Sequence, residues 1–172
     1  ITIPFGGFFK RKFIMAVLSG VNVTDVTTDG IPKFTVGSIF QDDDGKQYKY
    51  FLFNNGAGDV ASIAGDFGYY YAVSGAGAAA NSNTCTMDRT DSGGIGAGVF
   101  QAVIADGQYG WLQVTGEATL TQALTAGADG NALTAVGAGA DGAIDVSGAV
   151  TDAVCAFAYD ASAKIVKLCC PL

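Results

Sequence analysis

The sequence predicts an all-β protein, folded as a β-barrel or a β-sandwich. Turn signals rich in Asp, Gly and Asn recur roughly every ten residues, a spacing typical of such folds. The segments between the turns alternate in character and are rich in Val, Thr, Tyr and Phe. No apolar stripe with the helical period of about 3.6 residues continues beyond two turns. A Gly/Ala-rich insertion and an extended N-terminal arm complete the predicted architecture.

Residues 1–14 (ITIPFGGFFKRKFI) are predicted to form the arm. They hold four phenylalanines, the pair Gly6-Gly7 and three cations, and they follow neither a strand nor a helix period. Such a segment fits an edge strand of its own domain or an arm that grips a neighbouring subunit, and both remain open. The cations and the short apolar run after them imitate a signal peptide, but no A-x-A cleavage site follows. Met15 is a second plausible start, because residue 1 is not Met.

Residues 15–172 are predicted to form a single β domain that begins with short strands and a hairpin. Strands are expected near residues 21–26 and over residues 33–40 (KFTVGSIF). The acidic turn at residues 42–45 (DDDG) then leads into a strand within residues 46–55 (KQYKYFLFNN). The aromatic side chains of this strand occupy both of its faces.

Residues 54–98 are predicted to be an insertion into that domain. The segment is dominated by Gly, Ala, Asn and Ser, and only residues 67–73 (FGYYYAV) strongly indicate a strand. A loop this long without secondary structure is unusual in a compact domain, so we expect one or two short strands in it.

Residues 99–172 are predicted to form a C-terminal, barrel-like part of the domain. Turns at Asp-Gly pairs and similar sites divide it into strands at residues 99–105, 109–116, 117–124, 131–137, 143–150, 153–160 and 164–172. The alanines make a helix over residues 117–128 an alternative, although Thr and Gly weaken it.

The composition excludes some partners and favours others. The net charge of the whole chain is −7. Residues 15–172 contain six basic and 16 acidic side chains, which gives this part a net charge of −10. An acidic body lacks the basic face that nucleic acid requires. No apolar run is long enough to cross a membrane as a helix. Charged residues make up only 15% of the chain, against about 25% in typical domains. Such a surface suits packing against protein neighbours.

Candidate catalytic motifs are incomplete in this sequence. The chain has no histidine, so the segment 90–94 (TDSGG) offers no base to activate Ser92. The acidic turn at residues 42–45 lacks the terminal Glu of a calcium loop, because Phe53 stands at the twelfth position. The Gly clusters match no phosphate-binding loop. We therefore expect no catalytic, cofactor-binding or metal-binding residues and no enzymatic activity. Only Asp-based chemistry would remain for an enzyme.

The four cysteines are expected to be reduced and structural. Cys169 and Cys170 are adjacent, and neighbouring Cα atoms are too close for a relaxed disulfide. On a strand these two side chains would point to opposite faces. A bridge from Cys85 to one of the other cysteines remains an alternative.

The aromatic residues pose a choice between ligand binding and packing. Trp111, the only tryptophan, is predicted to be a structural anchor in a barrel or at a subunit seam, with Gly110 and Gly116 allowing the strand to bend. Tyr69 and Tyr70 are predicted to pack in the core or at a protein interface. The alternative is a glycan-binding sandwich in which one of these three rings is exposed to stack on a sugar.

Three stretches together resemble the head decoration, or cement, proteins of tailed bacteriophages. They are the acidic hairpin 39–55 (IFQDDDGKQYKYFLFNN), the Tyr-Gly-Trp unit within residues 107–120 (GQYGWLQVTGEATL), and the closing strands of residues 129–172. The resemblance covers residues 39–55 and 99–172, whereas the arm and residues 56–98 match no pattern of that family.

The resemblance implies a structural virion protein on the outer surface of an icosahedral phage head. Its partner would be the major capsid protein, and it would stabilise capsomer junctions as a homo-oligomer, with a trimer favoured. The low charge and the expected edge strands agree with such contacts. The main rival is a self-assembling subunit of an extracellular fibre or appendage that donates its arm as a strand.

Overall fold

Ten β-strands make up the domain in the computed structural model, which describes residues 20–73, 83–137 and 139–172. The strands are β1 (Ile39–Gln41), β2 (Gln47–Phe53), β3 (Phe67–Tyr71), β4 (Thr84–Thr86), β5 (Ser92–Phe100), β6 (Tyr109–Thr119), β7 (Ala132–Thr134), β8 (Asp145–Val146), β9 (Val154–Asp160) and β10 (Ile165–Cys169). One 3₁₀ turn, Arg89–Asp91, precedes β5, and the described residues contain no α-helix. The all-β prediction is confirmed, and the predicted arm at residues 1–14 lies outside the described residues.

Five of the strands close into a β-barrel. Their order is β2-β4-β3-β5-β6, and β6 pairs back onto β2 to complete the ring. The pairing of β2 with β4 is parallel, whereas the other four pairings are antiparallel. The predicted hairpin joins β1 to β2, and its turn is closed by a hydrogen bond from Gly45 N to Asp42 O.

The long strand β6 connects the barrel to a second, open sheet. Its first half pairs with β2 and β5, and its last five residues pair with β10. The sheet then continues from β10 through β9 and β7 to β8. The strand turns from one sheet to the other at Gly116, whose φ of +90° an L side chain rarely adopts. This backbone conformation supports the predicted role of Gly116 in bending the strand, whereas Gly110 does not adopt a positive φ.

The main hydrophobic core of the described residues fills the barrel and continues beneath the open sheet. Large side chains dominate the barrel portion, and small aliphatic ones dominate the portion under the sheet. The barrel portion includes Phe51, Phe53, Phe67, Tyr69, Phe100 and Leu112; the sheet portion includes Leu133, Ala156, Ala158, Val166 and Leu168.

Residues 54–98 do not form an insertion, contrary to the prediction. They supply β3, β4 and most of β5, which are three of the five barrel strands. The barrel accordingly lies within residues 47–119, and residues beyond it build the open sheet, so the expected C-terminal barrel is also wrong. The segment misled the prediction because its glycines indicate turns in most contexts.

Close packing explains why a barrel strand needs so many glycines. A Cβ on Gly96 would stand 2.6 Å from Cys155 Cβ and 2.7 Å from the Phe67 ring. A Cβ on Gly68 would stand 2.8 Å from the ring of Phe100. In a barrel of only five strands the large aromatic side chains fill the interior. The backbone positions that pack directly against these rings must therefore be glycine.

Several further strand predictions differ from the structure. Of the strands predicted at residues 99–105 and 143–150, only Val99–Phe100 and Asp145–Val146 are in strands. Residues 21–26 form no strand, and only Thr27 makes an isolated bridge, to Tyr109. Residues 33–38 form turns, because the backbone at Gly37 adopts a φ of +92°. The two strands expected at residues 109–116 and 117–124 are one strand, and the alternative helix over residues 117–128 does not form.

Candidate binding surface

Trp111 is a packing residue on the face of β2 and β6 that is opposite the main core. Its exposed fraction is 1%, and it forms a small cluster with Tyr48 and Tyr50 of β2. Its ring lies 5.0 Å from the Tyr50 ring and 5.2 Å from the Phe34 ring, centroid to centroid. Phe34 comes from a turn, so this cluster fastens the turn to the barrel wall. The predicted anchoring role is supported, although the ring lies outside the barrel.

The tyrosines proposed as sugar contacts are also largely buried. Tyr69 points into the barrel, and its hydroxyl donates to the carbonyl of Ala143. Tyr71 is buried as well, whereas Tyr70 is half-buried and lies edge-on to the Phe51 ring at 5.5 Å. Neither Tyr69 nor Trp111 offers a free ring face on which a sugar could stack.

The Ser92 motif and the acidic turn at residues 42–45 serve local structure. The hydroxyl of Ser92 donates to the carbonyl of Arg89 at 2.9 Å and so closes the 3₁₀ turn. The carboxylate of Asp42 accepts hydrogen bonds from Lys46 N at 2.8 Å and from the Tyr48 hydroxyl at 3.1 Å. Across the described ranges no three His, Cys, Asp or Glu side chains come close enough to hold a metal ion.

All four cysteines are free thiols in the structure. Cys85, Cys155 and Cys170 are buried, and burial raises the pKa of each of these thiols. Cys169 is exposed on β10, so the adjacent pair does face opposite sides as predicted. The alternative bridge from Cys85 is not formed.

The side of the open sheet that is opposite the core carries large side chains that no described residue buries. On β9 the side chains of Phe157 and Tyr159 are 46% and 65% exposed. Phe157 pairs with Lys167 of β10, and Lys167 pairs in turn with Glu117 of β6. This row of residues runs straight across the outside of the sheet. We call the surface formed by Phe157, Tyr159, Lys167 and Cys169 the outer face.

The local sequence of β9 inverts the usual pattern of a strand on a core. Its alternation, 156-AFAY-159, directs two alanines inward, where Ala156 and Ala158 are buried, and two aromatic rings outward. A strand that packs only on its own domain normally buries its largest side chains. Fully burying one Phe side chain is worth roughly 1.5–3 kcal/mol, so this face holds a sizeable unused driving force for association.

Sequence reasoning missed the outer face. The strand 153–160 was correctly predicted, but only its apolar character was considered. The signal that could have identified it is the strict alternation of alanine with aromatic residues, together with Lys167 and Glu117 on the neighbouring strands.

Comparison with known proteins identifies no relative. No family model matches the chain, and neither a curated protein nor a solved structure matches it significantly. The class of protein is therefore defined by its fold, an all-β domain with a closed five-stranded barrel and an attached open sheet. Among the described residues, no helix has the length and apolar character needed to cross a membrane.

Proposed function

We propose that this protein is a structural virion protein that decorates the outer surface of an icosahedral phage head. It would bind the major capsid protein where capsomers meet and stabilise those junctions as a homo-oligomer, with a trimer favoured. The proposal extends the sequence resemblance of residues 39–55 and 99–172 to decoration proteins. It assigns the protein no enzymatic activity and no nucleic-acid partner.

The observation that carries the proposal is the outer face. Phe157 and Tyr159 stand exposed beside Lys167 on a sheet whose opposite side is fully packed. Apolar rings with a polar surround are typical of protein interfaces, in which aromatic residues are enriched. Repeated contacts on a shell would also make a modest interface effective through multivalency.

The edges of the sheet favour this proposal over the rival appendage subunit. The terminal strands are β1 with three residues and β8 with two. Short edge strands offer few unpaired backbone groups, which limits the addition of a strand from another subunit. Association through a face therefore fits the described residues better than strand donation does.

The first experiment is sedimentation of the source material, followed by mass spectrometry of the pellet. We expect the chain to pellet with shells of megadalton mass, at a fixed ratio to a larger and more abundant shell protein. Pelleting as filaments that contain only this chain would establish the appendage instead. Recovery solely as a small oligomer in the supernatant would reject both assemblies.

The second experiment tests whether the outer face makes the contact. We expect the double variant Phe157→Thr/Tyr159→Thr to fold, because Thr is accepted in strands, and to lose binding to heads stripped of this protein. Val150→Thr is the matched control, since Val150 is also exposed but lies in the turn before β9. Equal binding by the double variant and the control would exclude the outer face as the docking site.

A further inference from the structure

Lys49 is a buried cation at one end of the barrel. It lies on the same face of β2 as the core residue Phe51, and its exposed fraction is 6%. Its Nζ donates to the hydroxyl of Tyr70 at 3.0 Å and lies 5.2 Å from the centroid of the Phe51 ring. The Tyr70 hydroxyl donates in turn to the carbonyl of Pro171 at 2.9 Å. An ammonium group carries three N–H donors, so two remain without a hydrogen-bond partner among the described residues.

No acidic side chain neutralises this cation. All 16 acidic side chains lie within the described residues, and none forms an ion pair with Lys49. Desolvation by burial lowers the pKa of Lys49, and no nearby carboxylate opposes this shift. An unpaired buried ammonium is costly, and such groups in proteins are normally paired or bound to a ligand.

The lysine lines a pocket whose remaining walls are largely apolar. The pocket has a volume of about 360 Å³, within the range of small-molecule sites. Besides Lys49 and Tyr70 it is lined by Asn83, Ile95, Pro171 and Leu172. Burial raises the pKa of Tyr70 to about 12, so its hydroxyl stays neutral and adds no competing anion at neutral pH.

We propose that this pocket binds a small aliphatic carboxylate. The carboxylate pairs with Lys49 Nζ and occupies its free N–H groups, while the apolar tail lies against Ile95, Pro171 and Leu172. A charge-assisted hydrogen bond is stronger than a neutral one, so the head group selects anions. The apolar walls favour a short hydrocarbon tail over a bare inorganic anion. This inference does not depend on the proposed function.

The probe for the test is hexanoate, titrated into the full-length protein by isothermal calorimetry and NMR. We expect saturable binding in the wild type, on the order of a millimolar Kd for so small a ligand. Lys49→Met should weaken hexanoate at least about tenfold, because a hydrogen bond to a charged group is lost. Lys33→Met is the matched control, since Lys33 is exposed, and it should bind like the wild type. Hexan-1-ol, which has the same tail without the charge, should bind at least about tenfold more weakly than hexanoate.

Several outcomes would overturn the proposal. They are an absence of saturable hexanoate binding to the wild type, equal affinity for hexanoate and hexan-1-ol, and unchanged hexanoate binding by Lys49→Met. A second readout needs no variant: hexanoate should shift the wild-type NMR resonances of Tyr70 and Ile95 before those of residues elsewhere. Shifts confined to other parts of the protein would contradict the site even if Lys49→Met failed to fold.

Discussion

Tyr50 and Trp111 are direct cross-strand partners on β2 and β6, with ring centroids 5.0 Å apart. The Tyr50 hydroxyl also shares a 2.6 Å hydrogen bond with Thr27 Oγ1, and Thr27 bridges to Tyr109. The aromatic pair thus joins the two barrel strands that close the ring and holds the preceding chain segment against them. This arrangement gives Trp111 a structural role that can be measured.

Replacing Trp111 should destabilise the fold in proportion to the packing that is removed. We expect Trp111→Ala to lower the free energy of unfolding by about 3–5 kcal/mol, as for other buried large side chains. Trp111→Phe should cost less than about half of that, because the ring contacts persist and a buried indole N–H without a partner among the described residues disappears. Urea denaturation followed by circular dichroism measures both values. Equal stability of Trp111→Ala and the wild type would contradict the anchoring role.

The glycine at position 98 should tolerate no side chain. Its φ is +136°, and a Cβ there would lie 2.4 Å from the carbonyl oxygen of Gln113 on β6. Because that neighbour is backbone, it cannot rotate away, so Gly98→Ala should cost about 3 kcal/mol or more.

Thermal unfolding of Gly98→Ala beside Gly148→Ala tests this prediction. A Cβ at Gly148 would meet nothing within 4 Å, and its backbone is not in the left-handed region. The control should therefore match the wild type or exceed it slightly. Similar melting temperatures for the two variants would show that β5 and β6 are not so closely packed.

The sequence predicted those elements whose signals are local and missed those that depend on contacts between distant segments. The turn at residues 42–45 and the hairpin of β9 and β10 were predicted because their signals are local, such as an Asp side chain that accepts from its own turn. Most of strand β5 was missed because its glycines are required by close contacts with residues distant in sequence. Gly96, for example, packs against Phe67 and Cys155. The burial of Trp111 was predicted, but its contact with Phe34 depends on tertiary structure alone.

Alkaline pH should destabilise the fold through buried tyrosines. Burial, together with the hydrogen bond to Asp42, raises the pKa of Tyr48 from 10.0 to about 12. Between these two pH values the unfolded state has lost a proton that the folded state keeps, so stability falls as the pH rises. We expect Tyr48→Phe to reduce this loss of stability with rising pH, measured as the urea midpoint at each pH. In the wild type the absorbance of ionised tyrosine should increase over the same pH range. An identical pH profile for the variant would show that Tyr48 does not contribute.

Cysteine labelling should distinguish the outer face from the core. With iodoacetamide at mildly alkaline pH, we expect Cys169 to react in the folded protein, because its thiol is accessible even though partial desolvation also raises its pKa. Cys85, Cys155 and Cys170 should react only after unfolding, since they are buried and burial raises the pKa of each thiol. Peptide mapping by mass spectrometry identifies the modified sites, and Cys169→Ser is the control that should abolish labelling of the folded protein. Rapid labelling of Cys85 in the folded protein would contradict a closed barrel.

Cys169 lies beside Lys167 on the outer face. Protein that is docked through this face should therefore no longer be labelled at Cys169.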